Sequence, residues 1–263
     1  MTTRVRRARV GGAVLAVAIA AACTKVSTDP NSVLSIQLSA PILPSVVKGD
    51  SSHDTTGAVI PIPAAAYNAQ GDSIPGAPIR YLVIQGRDTL AVDTLTGVLF
   101  GIDSGSARVI AYVPGLQTLS QQVFVVLSPD SLSPLDSAHY ALDYNQGTLR
   151  DTLLPIRVRL LHVTPLDTTG IIHYRLKYAF TYPAGLTNLN PDTVQLVGTA
   201  NLPQLVDTTT LGAATGVSTL NLRATLLAKP YADTVGIDVF AFRQDNTPVP
   251  GSPVHFVITL TIH

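Results

Sequence analysis

Asp103-Ser104-Gly105 places a carboxylate on a tight, glycine-closed turn. Two aspartates held face to face on such turns can share a proton and act as an acid and base pair. A second copy of the tripeptide is missing: Asp54-Thr55-Thr56-Gly57 and Asp167-Thr168-Thr169-Gly170 each carry one residue too many. A catalytic pair would therefore need two copies of the chain, and a structural turn is the better reading of Asp103. In Gly101-Ile102-Asp103-Ser104-Gly105 the serine is fourth, where a nucleophile elbow requires it third. The six histidines (His53, His139, His162, His173, His255 and His263) show no two at metal-ligand spacing, and a single cysteine cannot build a thiolate site. Asp143-Tyr144-Asn145-Gln146-Gly147 has the alternating oxygens of a calcium loop, but the chain contains no glutamate and the later ligands are missing, so an Asx turn is expected. Asp143 and His139 stand near a predicted domain boundary, and a hydrolase with its site there is the enzymatic alternative. Only nearness in sequence joins the two, and the chain reads as non-enzymatic, with no metal and no cofactor.

The one cysteine has a different chemistry open to it. Arg4, Arg6, Arg7 and Arg9 precede an apolar run of 13 residues, Val10 to Ala22, which ends in Ala20, Ala21 and Ala22 before Cys23. A membrane span needs about 20 apolar residues, so this run fits the hydrophobic region of a signal peptide, residues 1–22. Two cleavages compete, one after the Ala20-x-Ala22 pattern and one directly before Cys23. A free thiol in an oxidising compartment is unusual, and lipidation of Cys23 would resolve it. Ile19-Ala20-Ala21-Ala22-Cys23 resembles the lipobox of bacterial lipoproteins. That resemblance implies that Cys23 becomes the acylated first residue and holds the protein on a membrane surface. Thr24, where diderm lipoproteins retained at the inner membrane carry Asp, suggests the outer membrane or cell surface; a soluble secreted protein is the alternative. Residues 23–32, with Pro30, read as a tether.

The rest of the chain must supply whatever positions these groups, and its composition favours strands. Charged residues make up 13% of the sequence, where about 25% is usual. There are 17 Asp and no Glu, 13 Arg and 4 Lys, set beside 29 Thr, 19 Gly and 19 Pro. Long helix formers are scarce and β-branched and turn residues abundant, so an all-β chain is expected. The 46% hydrophobic content excludes a disordered chain. Without the four leader arginines, 13 basic groups face 17 acidic ones, a balance that argues against nucleic-acid binding.

Short apolar runs broken by Gly, Pro, Asn and Asp predict two β-rich units. In the first, strands are expected near Val33–Leu38, Val59–Ala66, Ile79–Gln85, Thr89–Val92, Ala107–Val113 and Gln122–Leu127. Residues 128–152, with Pro129 and Pro134, read as a linker with one helical turn near Ser137–Leu142. In the second unit, Ile156, Val158 and Leu160 alternate with Arg157 and Arg159. Ile172, Tyr174, Leu176, Tyr178 and Phe180 alternate with His173, Arg175 and Lys177, and Leu220–Leu226 and Phe256–Ile262 repeat the pattern. These are strands with one wet face, and two sheets of them must bury their dry faces together.

Asn68 to Val126 resembles the second half of a group 2 bacterial immunoglobulin-like domain. Asn68-Ala69-Gln70-Gly71-Asp72-Ser73-Ile74-Pro75-Gly76 carries the first part of the pattern; Gly97-Val98-Leu99-Phe100-Gly101 with Gly105, Ala107, Val109 and Ala111 carries the second. Tyr81 stands where that family places a tryptophan. Leu153 to His263 is similar to the invasin-like group 1 version, through Asp207-Thr208, Gly212-Ala213, Gly216 to Leu222, a strand at Thr234–Phe242 and the turn Gly251-Ser252-Pro253-Val254. The resemblance implies two tandem immunoglobulin-like β-sandwiches, 33–127 and 153–263, in a spacer or adhesion and binding module of the cell envelope. A subunit of a larger assembly, joined by edge-strand pairing, is the other binding reading.

If the two cationic strands pair, Arg157, Arg159, His173, Arg175 and Lys177 share one sheet face. Such a face on an acidic protein would suit an anionic surface glycan or another envelope protein. Solvated residues partly neutralised by Asp167, Asp192 and Asp207 are the plainer reading.

Overall fold

The computed structural model describes residues 29, 32–144, 152–182, 188, 194–200, 202–211, 215–224 and 234–262. The expected signal peptide, Cys23 and most of the expected tether lie outside the described residues, as do Asn145–Gly147, Asp192 and His263. Among the described residues the regular structure is all strand.

The first sandwich is built from β1 (Ser35–Leu38), β2 (Ser45–Val47), β3 (Ala64–Tyr67), β4 (Arg80–Gln85), β5 (Leu90–Val92), β6 (Leu99–Gly101), β7 (Gly105–Val113), β8 (Leu116–Gln117) and β9 (Gln121–Val126). One sheet runs β2-β9-β7-β4, with β8 on β7 and β2 parallel to β9. Facing it are the pairs β1-β3 and β5-β6, linked by a bridge from Pro61 to Val98. Ala107, Val109 and Ala111 of β7 point into the core, as their alternation predicts. Tyr81 fills the place of the expected tryptophan. It has room because Gly97, at φ 80°, has no side chain: a Cβ there would lie 2.7 Å from the Tyr81 ring. The strand expected over Val59–Ala66 is shorter. Pro61 and Pro63 have no N–H to give a ladder, so residues 59–61 make only isolated bridges and the strand begins at Ala64.

The second sandwich comprises β10 (Ser131–Pro134), β11 (His139–Tyr144), β12 (Thr152–Val163), β13 (Thr168–Gly170), β14 (Arg175–Tyr182), β15 (Val194–Val197), β16 (Val206–Thr208), β17 (Thr210–Leu211), β18 (Thr215–Ala224), β19 (Thr234–Phe240) and β20 (Val254–Ile262). Its sheets run β10-β12-β18-β15 and β11-β20-β19-β14-β16, with β13 and β17 as extensions. First, second, fifth and fourth main strands form one sheet; third, sixth and seventh form the core of the other. That is the strand order of an immunoglobulin sandwich, and the first unit follows it as well. The protein is thus two tandem sandwiches. Ile156, Val158, Leu160, Leu220 and Leu222 from one sheet meet Leu176, Tyr178, Ile237, Phe256 and Ile258 from the other, all within one cluster.

Residues 128–152 do not form the expected linker. β10 and β11 lie inside that span, with Leu132 and Leu142 buried in the core. The segment 137–142, expected as a helical turn, enters β11 instead. The chain leaves β12 after β10 and crosses to run parallel with β20, and Pro134-Leu135-Asp136-Ser137 makes the crossing. Turn residues that read as a linker are a change of sheet. Between β9 and β10 only Leu127–Asp130 remain.

Candidate functional site

The four-residue junction leaves the sandwiches in contact, and the contact is packed. Val47 and Val126 of the first sandwich belong to the core cluster of the second. The amide of Gln244, buried between the two, is assigned by its neighbours' donors and acceptors: in the orientation that satisfies both ends, its nitrogen donates to the Ser51 carbonyl at 2.7 Å and its oxygen accepts from the Val47 N–H at 3.0 Å. A Cβ on Gly57 would lie 3.0 Å from the backbone of Asp245, so the loops abut directly. On the other flank the His173 ring stacks on Phe124, centroids 3.6 Å apart and planes 11° from parallel. Burial pushes the His173 imidazole below its ordinary pKa of 6.5. Gly101, although its φ is ordinary, must be glycine for close approach: a Cβ would come within 2.5 Å of the Val47 carbonyl oxygen.

Two grooves flank this seam. One, of about 430 Å³, is walled by Phe124, Val126, Ile171, Ile172 and His173 and is mainly apolar. The other, of about 420 Å³, is lined by polar and apolar groups in about equal measure. Its floor is the outer face of β14 and β19, where Lys177 stands opposite Phe240 in the register. Arg175 lies one outward place along β14, and Phe242 lies one outward place beyond Phe240. The rings of Phe240 and Phe242 are 6.0 Å apart and within 5° of parallel. Arg243 extends the cationic wall, its Nε donating to the Pro129 carbonyl at 3.4 Å. Tyr174, buried beneath, donates its hydroxyl to the Phe242 carbonyl at 2.7 Å and so fixes the backbone that presents that ring. Across the cleft stand Leu43, Pro44 and Asp54 of the first sandwich. Asp54 Oδ1 accepts from the Thr56 hydroxyl (2.7 Å), the Thr56 N–H (2.8 Å) and the Ala58 N–H (3.0 Å). These bonds, the hydroxyl first, hold its carboxyl below the usual carboxylate value.

The structure divides the predicted cationic row. Arg157 and Arg159 are on β12 and Arg175 and Lys177 on β14, and these strands belong to opposite sheets. The four do not share a face. Arg157 pairs with Asp136 at 2.6 Å, and Arg159 Nε points to the Thr215 carbonyl at 3.4 Å. His173 leaves the row altogether. Its φ of 58° breaks the alternation, so Ile171 rather than Ile172 enters the core and β14 begins only at Arg175. Among the described residues no ion pair engages Arg175 or Lys177.

Asp103, His162 and His255 are engaged in structure. Asp103 bonds Lys48 at 2.7 Å, and that bond leads the lowering of its pKa; its other contact is the Ser104 N–H within its own turn. His162 contacts Asp130 at 2.6 Å and His255 contacts Asp238 at 2.7 Å. Among the described residues no three of His, Cys, Asp or Glu gather as a metal site would require. One buried polar chain escaped sequence reasoning: Ser218 donates to Asp207 Oδ2 at 2.6 Å and lies 2.7 Å from the Tyr178 hydroxyl. The signal was available, since Ser218 holds an inward place on β18 between Gly216 and Leu220. No histidine joins this hydrogen-bonded series of Asp207, Ser218 and Tyr178, and Tyr178 and Ser218 are sealed between the sheets, so the series ties the layers together.

Two sheet edges are closed against further strands. On β15, the Asn188 side chain accepts from the Leu196 N–H (2.6 Å) and donates to its carbonyl (2.9 Å), standing in for a neighbouring strand. On β4, the Tyr81 N–H donates to the Thr94 carbonyl at 3.1 Å, and Arg87 Nε donates to the Val83 carbonyl at 3.0 Å.

No family model matches the chain, and no curated protein matches it. Solved structures similar to it include domains 4 and 5 of the S-layer protein SbsC (11% identity, 88% of this chain and 99% of that one, TM-score 0.27). The Yersinia pseudotuberculosis adhesin InvE is 14% identical over 89% of this chain and 61% of that one, with TM-score 0.33. Clostridium thermocellum CbhA fibronectin(III)-like modules are 12% identical over 87% of this chain and 95% of those modules, with TM-score 0.30.

Proposed function

We propose that this chain is a non-enzymatic module of the bacterial cell envelope, exported by its leader, held to a membrane through lipid on Cys23, and projecting two immunoglobulin-like sandwiches as a stiff spacer and binding unit. The observation that carries the reading is the packed seam. A four-residue junction, a core cluster shared through Val47 and Val126, and a buried Gln244 bridging the units make the pair one mechanical body. Independently hinged domains usually meet through smaller, more polar contacts. Among the described residues, Asp54, Asp103 and Ser218 are engaged in turns, an ion pair and the tie between sheets, which supports a binding role. The capped edges of β15 and β4 weigh against assembly by strand pairing at those edges.

The test is expression of the full-length chain in a bacterial host that processes lipoproteins, with intact mass and membrane partitioning compared for wild type and Cys23→Ala. A mature wild-type protein that begins at Cys23, carries acyl mass and partitions to membranes, beside a soluble variant, is the expected result. Unmodified protein in the soluble fraction in both cases would overturn the anchor and leave a secreted sandwich protein.

A further inference from the structure

We propose that the charged cleft beside the seam binds an acidic saccharide, one bearing carboxylate or sulfate groups, between the cations of Arg175, Lys177 and Arg243 and the stacked rings of Phe240 and Phe242. The inference rests on the binding-module reading and deepens it by naming a ligand class. Arg175 and Lys177 are two residues apart on one strand face, about 7 Å along it. Neither has an ion-pair partner among the described residues. Three acids lie on or beside this face: Asp54 and Asp245, the Oδ1 of each committed to its own loop, to Thr56 and Ala58 and to Thr247, and Asp238, two places from Phe240 on β19, held by His255 at 2.7 Å. Cations lining a cleft rather than an open face focus their field on what enters it.

The aromatic pair decides between saccharide and peptide. Phe242 is 37% exposed, and its ring stacks parallel to that of Phe240 with centroids 6.0 Å apart, so exposed aromatic surface lies beside the charges. A sugar ring can lay its C–H face on the negative face of such rings while its hydroxyls and acid groups remain at the rim, toward water and the cations. An acidic peptide would bring backbone N–H and C=O groups, which cost free energy when desolvated without partners. The floor offers it none, because β14 is hydrogen-bonded on both sides, to β19 and β16.

The protein purified after full-length expression is titrated by calorimetry with four probes: a uronic-acid oligosaccharide, a sulfated oligosaccharide, a neutral oligosaccharide of the same length, and poly-aspartate. Binding of at least one acidic sugar is expected, weakening as salt rises, with the neutral sugar silent. The two acidic probes separate carboxylate from sulfate as the group recognised. Arg175→Gln and Lys177→Gln are each expected to weaken binding about tenfold. Phe242→Ala should weaken the sugar and leave poly-aspartate unchanged, and Arg157→Gln on the opposite sheet should change neither. Thermal melts coincident with wild type establish that each variant is folded. No acidic sugar binding, equal binding of the neutral sugar, poly-aspartate binding as tightly as the acidic sugars, or insensitivity to Arg175→Gln and Lys177→Gln would each overturn the proposal. Membrane partitioning of the same variants tests the anchor separately: a failed titration with intact partitioning removes the cleft ligand only, and the converse removes only the anchor.

Discussion

Two pairs of cations in the second sandwich begin from the same pattern and end differently. Arg157 and Arg159 on β12, and Arg175 and Lys177 on β14, each occupy alternate outward places on a strand whose other face is core. Arg157 meets Asp136, which the chain brings past as it crosses from β10 to β11, and the pair is neutral. Arg175 and Lys177 look onto the seam, where the first sandwich presents Leu43, Pro44 and a carboxylate bonded within its own loop. Alternation decides which way a side chain faces, but not what stands opposite it. The difference between a solvated face and a candidate binding face comes from the chain segment that passes in front.

The comparison can be broken outright by removing the core beneath both faces. Leu222→Ala, at a fully buried place on β18 between β12 and β15, is expected to destabilise the second sandwich by about 2–5 kcal/mol in urea denaturation. Both cationic faces should be lost together. Asp207→Ala removes the acceptor of Ser218 and of the Thr219 N–H, leaving buried donors unpaired. A loss of about 1–3 kcal/mol is expected by the same measurement.

A subtler change is expected at the seam. Because the folded His173 has a lowered pKa, the unfolded state takes up the proton first as pH falls. The stability from neutral His173 is therefore complete above its ordinary pKa of 6.5 and declines as pH drops from there through the folded value. Melting temperatures of wild type and His173→Phe, compared from pH 8 to pH 5, should diverge only at the acid end, with the variant losing less. Parallel curves would show that the histidine is not protected. The smallest effect belongs to Arg157→Gln: the Arg157–Asp136 pair is exposed on both sides, so at most about 1 kcal/mol is expected, shrinking with added salt. Arg175→Gln, with no partner to lose, should leave stability unchanged, which sharpens the contrast between the two faces.

Legibility in the sequence followed the physics of each signal. Ile156, Val158 and Leu160, or Ala107, Val109 and Ala111, announce strands because a half-buried strand needs an inward residue at every second place. The region 128–152 misled because proline, serine and aspartate mark a break in a strand equally well when the chain ends a domain and when it changes sheets. His173 misled because one residue at positive φ shifts the phase of its neighbours, and only achiral glycine signals that conformation strongly in a sequence. Tyr178 and Ser218 passed as ordinary members of their strands, since the hydroxyl-to-hydroxyl contact joins positions 40 residues apart.

By itself the sequence determined the all-β class and the inward face of most strands. Each depends on local periodicity or on composition. Tertiary structure alone decided which sheet each cationic strand joined, that a presumed linker belonged to the second core, and that the sandwiches share a seam with a charged cleft beside it. Those outcomes depend on contacts between residues far apart in the chain, and the two-residue repeat of a strand carries no information about its neighbour.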